Sequence, residues 1–215
     1  MSLFCLLWIP VFYFFIRSTG VAKESKSGWA LFFGGLTALS LILFGEFSES
    51  TDFGISRWFY GFIDIVSVPA LLPFIIWLFL AAIKKISFKT DSMGFALLWL
   101  IPLSIYRAAD WSSLGTPVML VLVPALWTIQ ICSLSFFIEC IMQKPKWYVI
   151  VPACIGIIAV PLIAATSWWE FFSSKYLSGY LFLFAVSLPA LISLIFRARK
   201  QSLAEKPLLL TFNEP

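Results

Sequence analysis

Apolar residues gather in seven long runs, and polar residues are confined almost wholly to the short stretches between them. The runs cover 2–16, 28–45, 58–83, 93–106, 117–142, 147–166 and 176–196. Runs of this length suit helices whose backbone groups are all paired within the segment, because a bilayer core offers no water to pair them. The pattern predicts an all-α fold: a polytopic transmembrane helical bundle of seven spans, several of them kinked by proline.

Two runs are short. The stretch 93–106 amounts to about 21 Å of helix at ~1.5 Å per residue, less than a hydrocarbon core of ~30 Å unless it continues through Arg107 to Trp111. The alternative is a re-entrant segment. Turning back there would invert the last three spans and put the basic C-terminal end outside, so a full crossing is favoured. The first run lacks a basic leader and meets its first cation only at Arg17, which reads as an anchor with an outward start and not as a secretory signal.

Charge supplies the orientation. Of fifteen Lys and Arg residues, the linkers after the first, third and fifth runs carry Arg17, Lys23, Lys26, Lys84, Lys85, Lys89, Lys144 and Lys146. The end of the chain adds Arg197, Arg199, Lys200 and Lys206, and the opposite side keeps only Arg57, Arg107 and Lys175. Short basic loops are retained in the cytoplasm, which predicts an outward N-terminus and a cytoplasmic C-terminus. Residues 1–200 then form one membrane domain, and 201–215 a short cytoplasmic tail that either docks on a partner or lies disordered. The net charge of +4 is spread over four segments, as retention demands, and does not indicate nucleic acid. Clean asymmetry and compactness point to a bacterial inner membrane.

Composition excludes several chemistries. The chain has no histidine, which removes imidazole metal ligands, the usual haem ligand and the commonest general base. Cys5, Cys132, Cys140 and Cys154 all fall inside apolar runs with no CxxC pair, and read as small packing residues. No metal or cofactor is expected. Retinal proteins share seven spans and an outward N-terminus, but the last run contains no lysine for a Schiff base. The Pro-Gln pair of small sugar permeases is also missing.

Candidate functional residues are the polar groups within or beside the runs, since each is costly at depth and persists where it faces the bundle interior, water or a partner. Asp64 lies about 9 Å below the outer end of the third run. Arg107 and Asp110, three apart, share a helical face near the end of the fourth, and Arg107 is a candidate partner for Asp64 or Asp110. Gln130 falls near the middle of the fifth run between Thr128 and Ser133, where an amide is expected to bond across helices or to a solute. Glu139 lies near the cytoplasmic end of the same run. Prolines at 10, 69, 73, 102, 124, 152, 161 and 189 each remove a backbone hydrogen bond and predict kinks. A Pro-Ala-Leu triplet recurs at 69–71, 124–126 and 189–191, as chance allows in so apolar a chain. Glu46, Glu49, Asp52 and Glu170 make the outer loops acidic, while Trp58, Trp111, Trp147, Trp168 and Trp169 at run ends read as interfacial anchors.

Three functions fit these features. A small permease or channel-like protein for a solute or ion accounts for kinked spans and polar groups at several depths. A noncatalytic subunit of a larger membrane complex, with a membrane-protein partner or a second copy beside it in the lipid bilayer, accounts for the lack of motifs. An intramembrane lipid-acting enzyme using Asp64 or Glu139 is third, because neither carboxylate belongs to a nucleophile or metal constellation. A permease is the leading expectation and enzymatic activity is not.

Overall fold

The computed structural model describes residues 27–44, 58–59, 61–86, 92–110, 117–142 and 146–210. The first apolar run, 2–16, lies outside them. The elements are α1 (Ser27–Phe44), a π-helical segment (Gly61–Leu71) that continues directly into α2 (Leu72–Ala82), α3 (Ser92–Asp110), α4 (Pro117–Met142), α5 (Trp147–Phe172) and α6 (Tyr176–Leu210). No strand occurs among the described residues. Four helical stretches are long and apolar enough to cross a membrane, namely Gly61–Ala82, Leu122–Met142, Trp147–Phe172 and Tyr176–Phe196, and this fits an integral membrane protein.

At the centre sits α3. The stretch 93–106 belongs to one continuous helix of 19 residues, about 28 Å long, and it does not turn back on itself. Its modest apolar length has a packing reason: Ser92 through Leu97, Trp99, Leu100, Leu103 and Ser104 are all buried, so the helix keeps little surface for lipid. Packed against it are α1, α4 and the π segment with α2, while α4, α5 and α6 pack on one another.

Close approaches at glycine set these contacts. A Cβ on Gly34 would lie 2.7 Å from the Trp99 carbonyl oxygen, so α1 meets the backbone of α3 directly. On Gly156 a Cβ would strike the Phe137 ring, and on Gly61 the Trp168 ring. Two helix ends close the same way. After α2, Lys85 N–H donates to Leu80 O and Lys84 N–H to Ala81 O; after α5, Lys175 N–H donates to Glu170 O and Ser174 N–H to Phe171 O. Lys84 and Ser174 take left-handed φ values of 58° and 61° to do so, as the residue just past a helix does when it satisfies the last carbonyls.

Three expectations change. The sixth run, read to 166, continues as helix to Phe172, because Trp168 is not an interfacial anchor: it is only 7% exposed and stacks on Phe172. The tail is not disordered over its first part, since α6 runs on to Leu210 through good helix formers such as Ala198, Lys200, Gln201, Leu203 and Glu205. Prolines also act unequally. Pro102, Pro124, Pro152, Pro161 and Pro189 lie within α-helix, whereas the helix around Pro69 is π-wound.

Candidate functional site

The polar interior is organised by α4. Pro69 has no N–H and lies inside the π-wound segment, where a carbonyl pairs with the N–H five residues on. The indole N–H of Trp127 donates to Ile65 O in this segment at 2.7 Å. Six residues along α4, the Ser133 hydroxyl donates to Val186 O in α6 at 2.6 Å. Thus α4 is tied to the π segment through one side chain and to α6 through the other, with all four residues buried.

Gln130 stands midway between the two ties. It is 0% exposed, and neither its Oε1 nor its Nε2 has a hydrogen-bond partner. An unpaired amide in an apolar interior costs roughly 2–7 kcal/mol depending on the reference state, and buried polar groups are otherwise almost always paired. The sequence predicted a bond across helices or to a solute; the cross-helix bond is not made. Among the described residues the Trp99 Nε1 and the Ser104 Oγ of α3 share this condition. Thr128, by contrast, bonds back to Pro124 O at 2.9 Å within its own helix.

Nearer the end of α4, Ser135 lies 3.2 Å from Ser92 of α3, hydroxyl to hydroxyl, and donates to Glu139 Oε1 at 3.3 Å. Glu139 is half-buried and is joined through Ser135 to the start of α3. The fourth-residue spacing from Ser135 to Glu139 was legible in sequence; the contact with Ser92 was not. Asp64 belongs to the π segment, one residue before the Ile65 carbonyl that Trp127 engages. Arg107 and Asp110 fall in the last turn of α3. The side chains of these three lie outside the described residues, so only Gln130 and Glu139 can be placed fully, and α4 carries both.

No known family model, curated protein or solved structure matches the chain.

At the other end of the bundle the polar groups hold helices together. Trp58 Nε1 donates to Thr166 Oγ1 at 3.4 Å, Ser167 Oγ to Gly179 O at 2.9 Å, and Ser178 Oγ to Glu170 Oε2 at 2.5 Å. Glu170, expected in an acidic outer loop, lies instead in the last turn of α5 and fastens the α5–α6 corner. Among the described residues no group of three or more His, Cys, Asp or Glu is placed to hold a metal ion, and Cys140 and Cys154 are free thiols. What the interior offers chemically is neutral hydrogen bonding, concentrated around Gln130.

Proposed function

We propose that this protein is a small permease or channel-like transport protein, a seven-span bundle with its N-terminus outside, and that Gln130 marks the middle of its solute path. One observation carries the reading: a fully buried amide with both of its polar atoms unpaired, near the centre of the helix around which the interior is built. Residues that serve only as glue between helices make their bonds, as Trp127 and Ser133 do. An amide left without one in a lipid-soluble bundle is explained by a partner that comes and goes, either a solute or water.

The π-wound segment beside it adds support. Interrupted helices at mid-membrane are a recurrent feature of transporters, because they loosen the backbone where a site must open. Gln130 is sealed from solvent here, which corresponds to an occluded state in such a cycle. The basic linkers favour the stated orientation and a bacterial inner membrane.

Access tests this reading without knowledge of the solute. In a variant with its four native cysteines replaced by alanine, Gln130→Cys is treated with membrane-impermeant thiol reagents applied from each side of sealed vesicles. Modification from either side is the expected result. A thiol inert from both sides overturns transport, and the subunit reading then predicts a second protein at constant ratio when the protein is purified in mild detergent.

A further inference from the structure

The first half of α5 joins an open apolar stripe to a cation at its start. We propose that an anionic phospholipid of the adjoining leaflet is held there, with an acyl chain along the stripe and its phosphate beside Lys146. Trp147, Val151, Cys154, Ile155, Ile158 and Leu162 are exposed, and recurrence every three to four residues puts them on one side of the helix. From Trp147 to Leu162 the stripe measures about 22 Å, enough for one leaflet's half of a ~30 Å hydrocarbon core and the boundary above it. Past Leu162 the same side of α5 is covered. Ala165 and Trp168 are buried there, where the π segment brings Gly61 against the Trp168 ring.

Charge selects the headgroup. The Lys146 ammonium lies 6.0 Å from the centre of the Tyr148 ring, and Lys146, Trp147 and Tyr148 are all exposed. Tryptophan and tyrosine favour the headgroup level, and an aromatic ring attracts an ammonium without neutralising it. The first acidic residue along α5 is Glu170, near its far end, and Glu139 of the neighbouring α4 accepts a hydrogen bond from Ser135. Lys84 and Lys85, exposed just after α2, belong to the same end of the bundle, because α3 starts where Ser92 meets Ser135 in the later part of α4. Positive potential therefore collects at this end, and a phosphate carries the complementary charge.

Other occupants fit less well. A zwitterionic headgroup brings its own ammonium up to Lys146 and gains less from it. A second copy packed on this stripe by a two-fold axis along the membrane normal would set its Lys146 at the same level as this one, like charge toward like charge.

The test is native mass spectrometry of the full-length protein in mild detergent, with phosphatidylglycerol and phosphatidylcholine of matched acyl chains added in equal amounts. Phosphatidylglycerol should be retained about fivefold or more over phosphatidylcholine, the factor that one cation near a lipid surface contributes. Lys146→Gln should erase most of this preference and Lys146→Arg should keep it. Lys175→Gln, which removes a cation beyond the far end of α5, should leave it unchanged. Lys146 and Lys175 are both exposed, so none of these changes touches the packed interior. Equal retention of the two lipids, or retention of neither, overturns the proposal. An equal loss of preference in the Lys175 and Lys146 variants traces it to overall charge and overturns the site. Lipid-free dimers overturn it in favour of a second copy on this face.

Discussion

A buried amide that bonds to nothing makes the molecule less stable than an apolar side chain of the same shape would. Gln130→Met keeps the length of the side chain and removes both unpaired atoms, and should raise stability by about 1–3 kcal/mol, seen as a higher melting temperature in detergent. A lower melting temperature would mean that the amide is paired in the folded protein. Solute flux should fall in the same variant, the usual cost where a site is kept for function at the expense of stability. Sequence reading singled out Gln130 from its place in an apolar run, since a mid-span amide is conspicuous by residue type alone. What it could not supply is the pairing, which depends on where neighbouring helices bring their carbonyls. Trp127 and Trp99 escaped notice for a related reason. Tryptophan counts as apolar in the run pattern and as an anchor at run ends, so its N–H is seen as a donor only once its burial is known.

At the scale of the helix, the tie between Pro69 and Trp127 makes a separable prediction. Trp127→Phe removes the indole bond to the buried Ile65 carbonyl and should cost about 0.5–1.5 kcal/mol. In a Pro69→Ala background the restored N–H competes for that carbonyl, so the same substitution should cost less, with a coupling of roughly 0.5–3 kcal/mol between the two sites. Additive losses would show that the indole bond and the proline are unrelated. Glycine contacts give a second, ordered expectation. Gly34→Ala drives a methyl group against backbone, which cannot rotate away, whereas Gly156→Ala meets the end of the Phe137 ring, which can shift. Both overpack the bundle at a cost of the order of 1–3 kcal/mol, and the melting temperature of the Gly34 variant should be the lower. Kinks were legible as proline positions, but which proline would lie in a π-wound segment was not, because winding depends on backbone pairing and packing that residue types do not show. Helix ends were read too short at 166 and 196. A run of apolar letters stops at the first polar group, whereas a helix continues while its backbone bonds and side-chain packing persist, as Trp168 and Phe172 show.

For the whole molecule, the apolar exterior and the charge asymmetry together decide how it sits. Trp147 and Leu177 are 77% and 79% exposed, and Ile155, Ile158, Leu181, Phe184 and Ile195 are also exposed along α5 and α6; so broad an apolar surface is foreign to a water-soluble monomer and natural against lipid. Near the start of α5 the Lys146 ammonium lies 6.0 Å from the Tyr148 ring centre, with Lys144 just before it in sequence, a combination of cation and aromatic suited to a cytoplasmic headgroup boundary. The α2–α3 connection, with Lys84 and Lys85, belongs to the same end of the bundle, because Ser92 at the start of α3 meets Ser135 toward the end of α4. In the proposed orientation this end faces the cytoplasm, as retention of basic loops favours. In a variant without native cysteines, Ser50→Cys should react with an impermeant thiol reagent added to intact cells, and Ser87→Cys should react only after the membrane is opened. Reaction at position 87 from outside would reverse the orientation. Because Ser92, Ser135 and Glu139 lie toward that end, reversal would also move their chain of hydroxyls and carboxylate from the cytoplasmic to the external side of the proposed path.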